Sequence, residues 1–245
     1  MAAVVAITLG AGARAEAGTI QLGFILDSSG SIGSTDWAII TTGLANAVST
    51  LIPVGGTDTY EVSVVTFAAT ATQNISNVLV TSAAIRTNLA TAIAALPFLG
   101  GLTNYADAFN KMTDLIDNTP SATASYVNFA TDGDPTTGGN GVTERNALIT
   151  SGVDNISIEG IGGGIDAAFL MGSICYPQAC DSTQPFNFPA QGFYIAVPNA
   201  NAYTNAIRTK ISTVTGVPVP EPASLSLLAI GFAGLRFARR RSSSN

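Results

Sequence analysis

The alternation of apolar runs with amphipathic segments most constrains what this chain can fold into. Continuously apolar runs, such as Thr19–Leu26 and Tyr126–Ala130, are typical of strands that are buried on both faces. Between them lie segments such as Thr35–Ile52, which carries apolar residues at helical spacing and stops at Pro53. This order predicts an α/β fold with a doubly wound, mostly parallel central sheet and helices on both faces.

The same criteria place the remaining elements. Further strands are predicted at Tyr60–Phe67, Gln73–Val80, Ile156–Ile161 and Gly192–Val197, the first two joined as a hairpin through residues 68–72. Further helices are predicted at Ser82–Leu96, Asn104–Asn118, Val142–Gly152 and Ala202–Val214. Because ligands of doubly wound folds bind beyond the carboxyl ends of the strands, residues at those ends are the first candidates for a site.

Composition excludes several classes of function. The sequence has no histidine, which removes Ser-His and Cys-His nucleophile pairs and histidine-bearing zinc or iron sites. Any metal must therefore be held by oxygen, which favours magnesium, calcium or manganese. The sequence between Gly18 and Pro220 contains fourteen acidic residues and only five basic ones, so we expect no nucleic acid as a partner.

Three loops at predicted strand ends and helix starts carry oxygen-bearing side chains. The first presents Asp27, Ser29 and Ser31, the second presents Thr103, and the third presents Asp132. If all three loops lie at one edge of the sheet, two carboxylates and three hydroxyls converge there. Such a donor set suits a magnesium ion, which takes six ligands at about 2.1 Å and retains several waters.

The three loops read DSSGS, TNYADA and TDG, and in this order they resemble the von Willebrand factor type A (VWA) domain with its metal-ion-dependent adhesion site. We place the domain at residues 19–216. The resemblance implies that Ser29 and Ser31 bind the ion directly and that Thr103 does so in the ligand-ready state. It further implies that Asp27 and Asp132 act largely through water, and that an acidic group of the partner completes the coordination.

Each of these residues also has an ordinary structural interpretation. Asp27 and Ser31 could cap the helix that follows them, Thr103 could be the N-cap of the next helix, and Asp132 could be a turn residue. Asp134 is expected at a turn or on the rim of the site rather than among the ligands.

Two cysteines, Cys175 and Cys180, lie in an insertion-like segment between Asp166 and Gln191. Their short separation predicts a disulfide within that loop in an oxidising compartment, and two free thiols are the alternative. The glycines at 162–164 lack the motif of a phosphate-binding loop and are expected to form a flexible loop.

The N-terminal residues 1–17 indicate an export signal. An apolar run there leads to Ala15 and Ala17, which fit an A-x-A cleavage pattern before Gly18. The usual positive n-region is missing, so this signal is either truncated at its start or weak. An N-terminal helix of the mature fold is the alternative.

The C-terminal residues 217–245 form a separate segment. The tripeptide Pro220-Glu221-Pro222 precedes a short apolar stretch, Ala223–Leu235, and an arginine cluster. This order resembles the PEP-CTERM sorting signal, which implies removal by an exosortase in the inner membrane of a Gram-negative bacterium. The precursor would then enter that membrane transiently before export to the cell surface or beyond; an ordinary tail anchor is the alternative.

These features together predict a secreted, divalent-cation-dependent binding module that captures an acidic group of a protein or matrix ligand, and not an enzyme. A structural constituent of the extracellular polymer, in which the ion only stabilises the fold, is a second hypothesis. A magnesium-dependent hydrolase is disfavoured, because no histidine is present and no lysine or arginine adjoins the three loops to balance transition-state charge.

Overall fold

A single six-stranded sheet organises the chain, whose computed structural model describes residues 18–116 and 122–219. The strands run in the order β3-β2-β1-β4-β5-β6, and only β3 is antiparallel to its neighbour. This confirms the predicted mostly parallel α/β sheet. The strands are β1 (Thr19–Asp27), β2 (Thr59–Phe67), β3 (Ala71–Val80), β4 (Ala124–Thr131), β5 (Asn155–Ile161) and β6 (Tyr194–Val197).

Helices cover both faces of this sheet, as predicted. One hydrophobic cluster packs α1, α2 and α6 on one face, and a second cluster packs α3, α4 and α5 on the other. The aromatic rings of Phe67, Tyr105, Phe109 and Phe129 contact one another in the second cluster. The helices are α1 (Gly33–Leu51), α2 (Ala83–Ala94), α3 (Tyr105–Ile116), α4 (Val142–Thr150), α5 (Ala167–Phe169) and α6 (Ala200–Thr215).

The strand order reverses between β1 and β4. From β1 the chain continues outward through β2 and β3, whereas β4, β5 and β6 extend the sheet the other way. In the register of the pair, Leu26 lies opposite Ala130, so the ends of both strands reach the same edge. In doubly wound folds ligands bind at such a reversal of strand order, so this edge is where a site is expected.

The segment between β5 and β6 has more structure than its sequence pattern indicates. Helix α5 continues as a π-helical turn, Leu170–Ile174, whose two end residues are buried. A three-residue helix is too short to produce a detectable period, which explains why the sequence did not reveal it. Cys175 and Cys180 form a disulfide just beyond the turn.

Several sequence predictions fall outside the described residues. These are the export signal at 1–17, the Pro220-Glu221-Pro222 motif with its apolar stretch, and the last residues of the helix predicted to reach Asn118. Among the helices in the described ranges, none has the length and apolar character needed to span a bilayer.

The disulfide can be tested by thiol labelling. Alkylation of the unfolded protein without reductant should modify neither Cys175 nor Cys180, and alkylation after reduction should modify both, as measured by mass spectrometry. A Cys175→Ser variant serves as the control, because its single remaining thiol should be labelled without reductant. Labelling of both cysteines in the unreduced wild-type protein would contradict the bridge.

Candidate metal centre

Asp27, the last residue of β1, is held through both of its carboxylate oxygens. Its Oδ1 accepts a hydrogen bond from the Ser29 backbone N–H at 2.8 Å, and its Oδ2 accepts one from Thr131 Oγ1 at 2.7 Å. The side chain is only 2% exposed. Asp27 is therefore a buried carboxylate whose orientation is set by its own loop and by the end of β4.

The two serines of this loop meet the third loop. Ser31 Oγ donates to Asp132 Oδ1 at 2.7 Å, although the two residues are far apart along the chain. Ser29 Oγ lies 3.1 Å from Ser31 Oγ. The structure thus brings Ser29, Ser31 and Asp132 together, with Ser29 buried and Ser31 exposed.

Close backbone contact joins the first loop to the second. The Gly30 N–H donates to the Gly101 carbonyl at 2.9 Å, and the Gly100 N–H donates to the Ser28 carbonyl at 2.8 Å. A Cβ at position 30 would lie 3.2 Å from the Gly101 oxygen, so a side chain there would push the loops apart. Gly33 serves the loop differently, because its φ of +71° is one that other residues rarely adopt.

Thr103 lies two residues beyond this contact and is fixed by its backbone. Its N–H donates to Thr136 Oγ1 at 2.9 Å, and its carbonyl accepts from the N–H groups of Thr136 and Thr137. The residue is 5% exposed, and its hydroxyl makes no hydrogen bond with any residue in the described ranges. That oxygen therefore remains available to a ligand.

The ordinary capping roles do not account for these side chains. Helix α1 begins after Ile32 with no side-chain cap, so Ser31 is not its cap. At the start of α3 it is Asn104 Oδ1, not Thr103, that accepts a hydrogen bond from the Asp107 N–H, at 3.1 Å. Asp134 is exposed and accepts from the Asp166 N–H, which places it at the rim.

Electrostatics at the site favour a cation. The pKa of Asp27 is raised to about 6 because burial and, to a smaller extent, the charge of Asp132 outweigh the lowering effect of the hydrogen bonds from Ser29 and Thr131. Burial also raises the pKa of Asp132, against the lowering effect of Ser31. Two ionised acids that disfavour each other in a desolvated site are stabilised by a positive charge between them. The donors are all oxygens, so the residues present fit a hard divalent cation.

Sequence reasoning missed several supporting residues. Thr131 holds Asp27, Thr136 holds Thr103, and Tyr105 Oη donates to the Gly133 carbonyl at 2.5 Å. Thr131 could have been found, because it precedes Asp132 at the end of a predicted strand. Thr136 lies in an irregular loop that carries no periodic signal.

The glycine-rich loop at 162–164 also contributes to the site. A Cβ at Gly164 would lie 3.3 Å from the Asp132 backbone oxygen, so this loop packs closely behind Asp132. Gly162 adopts a φ of +75°. Gly164 therefore allows the close approach of the two loops, and Gly162 allows the turn that precedes it.

Comparison with protein families decides the identity of the fold. A model of the von Willebrand factor type A domain matches residues 21–206. The chain belongs to the VWA family. A model of the PEP-CTERM protein-sorting motif matches residues 218–242. Both resemblances seen in the sequence are confirmed, and the sorting motif marks a secreted protein that an exosortase processes.

Solved structures share the VWA fold. Proximal thread matrix protein 1 (PTMP1) from the mussel byssus superposes with a TM-score of 0.62 at 19% identity, over 81% of this chain and 46% of that one. A VWA protein from Catenulispora acidiphila superposes with a TM-score of 0.62 at 17% identity, over 83% of this chain and 44% of that one. The pilus adhesin SpaC from Lactobacillus rhamnosus GG superposes with a TM-score of 0.62 at 13% identity, over 82% of this chain and 31% of that one.

These likenesses establish the fold of this chain, which spans less than half the length of each of the three. Another PTMP1 structure has a zinc-occupied metal-ion-dependent adhesion site (MIDAS) motif. It superposes with a TM-score of 0.58 at 20% identity, over 80% of this chain and 46% of that one. No curated protein sequence matches the chain.

Removing the hydroxyl that holds Asp27 should weaken cation binding. In Thr131→Val the Asp27 carboxylate loses a buried donor and its fixed orientation, so affinity for Mg²⁺ should fall about tenfold or more. Thr66→Val is the matched control: it removes a buried hydroxyl bonded to Asn74 at the end of β2. Isothermal titration calorimetry should show that the control binds Mg²⁺ with the affinity of the wild type. An equal loss of Mg²⁺ affinity in both variants would contradict the role of Thr131.

The pKa of Asp27 predicts a pH dependence of stability in metal-free protein. The folded state binds a proton on the Asp27 carboxylate more tightly than the unfolded state does, because the pKa of this group is near 3.8 in the unfolded chain. The contribution of Asp27 to the free energy of unfolding is therefore fully present below about pH 4. It is lost as the pH rises through about 6, which lowers the free energy of unfolding by roughly 3 kcal/mol. Urea unfolding of wild-type and Asp27→Asn protein in EDTA should show this loss only in the wild type. A difference between them that does not change with pH would contradict the assignment.

Proposed function

We propose that this VWA domain is a secreted binding module that uses a divalent cation to capture an acidic group of a protein or matrix ligand. In this proposal Ser29, Ser31 and Thr103 bind the cation directly, and Asp27 and Asp132 hold it through water. The observation that carries the proposal is the contact of Ser31 with both Ser29 and Asp132 at the edge of the sheet.

The chemistry of the donors supports capture of an outside carboxylate. Hydroxyl ligands are neutral, so a cation that they hold retains more of its charge than one surrounded by carboxylates. A bound magnesium, calcium or manganese ion would supply a Lewis-acid position for the partner's acid. The chain's own residues orient the donors and, through the buried Asp27, keep one negative charge beneath them.

The surroundings of the site support a macromolecular partner. Leu99 and Leu102, which are 41% and 53% exposed, flank the glycines of the second loop. Large apolar side chains exposed beside a polar site are typical of protein interfaces. We therefore expect an acidic side chain presented among apolar neighbours rather than a small free acid.

Export supports an extracellular setting for this activity. The sorting motif lies at 218–242, directly after the domain, and we propose that the mature domain is released at the surface of a Gram-negative cell after its precursor has entered the inner membrane. The names of PTMP1, a thread matrix protein, and of SpaC, a pilus adhesin, agree with an adhesive or matrix role. We do not propose an enzyme, since the three loops offer no side-chain base of the histidine type and no basic residue.

A structural role within the extracellular polymer is the second candidate. The hydrogen bonds among the three loops and the like negative charges of Asp27 and Asp132 favour it, because a cation there would also stabilise the fold. The two candidates differ in what removal of the ion does: loss of partner binding by a folded domain, or loss of folding.

A pull-down from the extracellular material of the producing cells distinguishes the candidates. The wild-type domain should retain partners in Mg²⁺ and lose them in EDTA, and Ser31→Ala should abolish retention in Mg²⁺. Ser34→Ala, an exposed serine three residues further on, is the matched control and should bind normally. Circular dichroism of each sample should remain unchanged. Equal retention with and without EDTA would overturn the capture mechanism, and unfolding in EDTA would favour the structural role.

A further inference from the structure

A second cluster of polar side chains, separate from the residues of the candidate metal centre, is buried between the sheet and α6. Asn128 of β4, Glu159 of β5 and Lys210 of α6 are 3%, 0% and 4% exposed. The side-chain nitrogen and oxygen atoms of all three lack a hydrogen-bond partner of ordinary geometry among the described residues. Buried groups of this kind are costly, and each calls for an explanation.

The three side chains converge. Lys210 Nζ lies 3.5 Å from Glu159 Oε1, and the Asn128 amide is close enough to Glu159 to lower the pKa of its carboxyl. Asn128 lies opposite Ser157, two residues before Glu159, so both side chains leave the same face of the sheet. Asn128 and Lys210 also line one cavity, together with apolar residues of β1 and α6.

The surroundings of the cluster are largely apolar. The cavity walls include Leu22, Phe24, Ile211 and Val214. Lys210 Nζ lies 5.2 Å from the centre of the fully buried Phe193 ring. An ammonium and a carboxylate are both disfavoured in such a place, and burial lowers the pKa of Lys210 and raises that of Glu159. The pair is thereby shifted towards a neutral amine and a protonated acid.

From this arrangement we infer that Lys210 and Asn128 react with each other to form an intramolecular isopeptide bond, with Glu159 transferring the protons. Lys210 Nζ attacks Cγ of Asn128, so that a new C–N bond forms and the bond from Cγ to Nδ2 breaks. Glu159 protonates the departing nitrogen and accepts the proton that Nζ gives up. The products are one secondary amide and one ammonia, and no oxidant or reductant is needed.

The reaction uses chemistry that the cluster already provides. A neutral amine is the nucleophilic form of lysine, and a buried protonated carboxyl is an effective general acid. Lys210 and Asn128 both adjoin Glu159 and line one cavity, and groups that a fold holds near each other gain a large effective concentration. The product removes a buried amine and a buried primary amide, which relieves part of the cost of the unpaired groups.

The mass of the protein tests this inference. The full chain, purified, reduced and denatured, should be lighter by one ammonia than its sequence requires, after allowance for any terminal processing that is seen equally in the Lys210→Arg variant. Proteolysis should yield a branched peptide that links Asn128 to Lys210. A folded wild-type protein of unmodified mass would overturn the proposal. Loss of water, with a link between Lys210 and Glu159, would equally overturn it.

Three variants define the roles of the residues. Lys210→Arg retains a cation but no amine, and Glu159→Gln retains both reacting groups but no proton carrier, so neither should lose ammonia. Asn128→Asp should lose water and yield a product identical in mass to cross-linked wild type. Emission of the buried Trp37 and circular dichroism report whether each variant has folded. Ammonia loss in folded Glu159→Gln at the wild-type rate would show that Glu159 does not carry the protons.

Discussion

The buried carboxylate of Asp27 is the constraint on which the edge of the sheet depends. It lies where β1 ends beside β4, and its two oxygens hold the backbone of its own loop and the hydroxyl of Thr131. A carboxylate at 2% exposure is unfavourable unless its charge is compensated. The elevated pKa of the group records that cost, and a divalent cation would remove it. The burial of the Asp27 carboxylate thus explains both the hydrogen bonds that fix this edge of the sheet and the proposed binding of a cation there.

Much of this could be predicted from sequence because it depends on short-range pattern. Apolar runs such as that ending at Asp27 identify buried strands, and the doubly wound topology then places the ends of β1 and β4 together. The support of the site could not be predicted in the same way. Thr136 reaches Thr103 from an irregular loop, and Gly164 packs behind Asp132 from a segment that carries no period.

The buried cluster at Lys210 illustrates the same limit more sharply. Lys210 shares one face of α6 with the buried Tyr203 and Ile207, but the helix pattern does not reveal that Glu159 lies beside it. Its partners come from β4 and β5, so only the packing of α6 on the sheet brings them together. A covalent link there would join α6 to the sheet independently of the metal centre. The domain would then combine a cation-dependent surface with a covalently fixed interior.

The central claim is that five oxygen-bearing side chains from three loops hold one divalent cation. Crystals soaked in MnCl₂ and measured at the manganese absorption edge test it most directly. The account predicts one strong anomalous peak beside the hydroxyls of Ser29 and Ser31, within coordination distance of Thr103 or bridged to it by water. Absence of the peak, or its appearance only at other surface acids, would contradict the account.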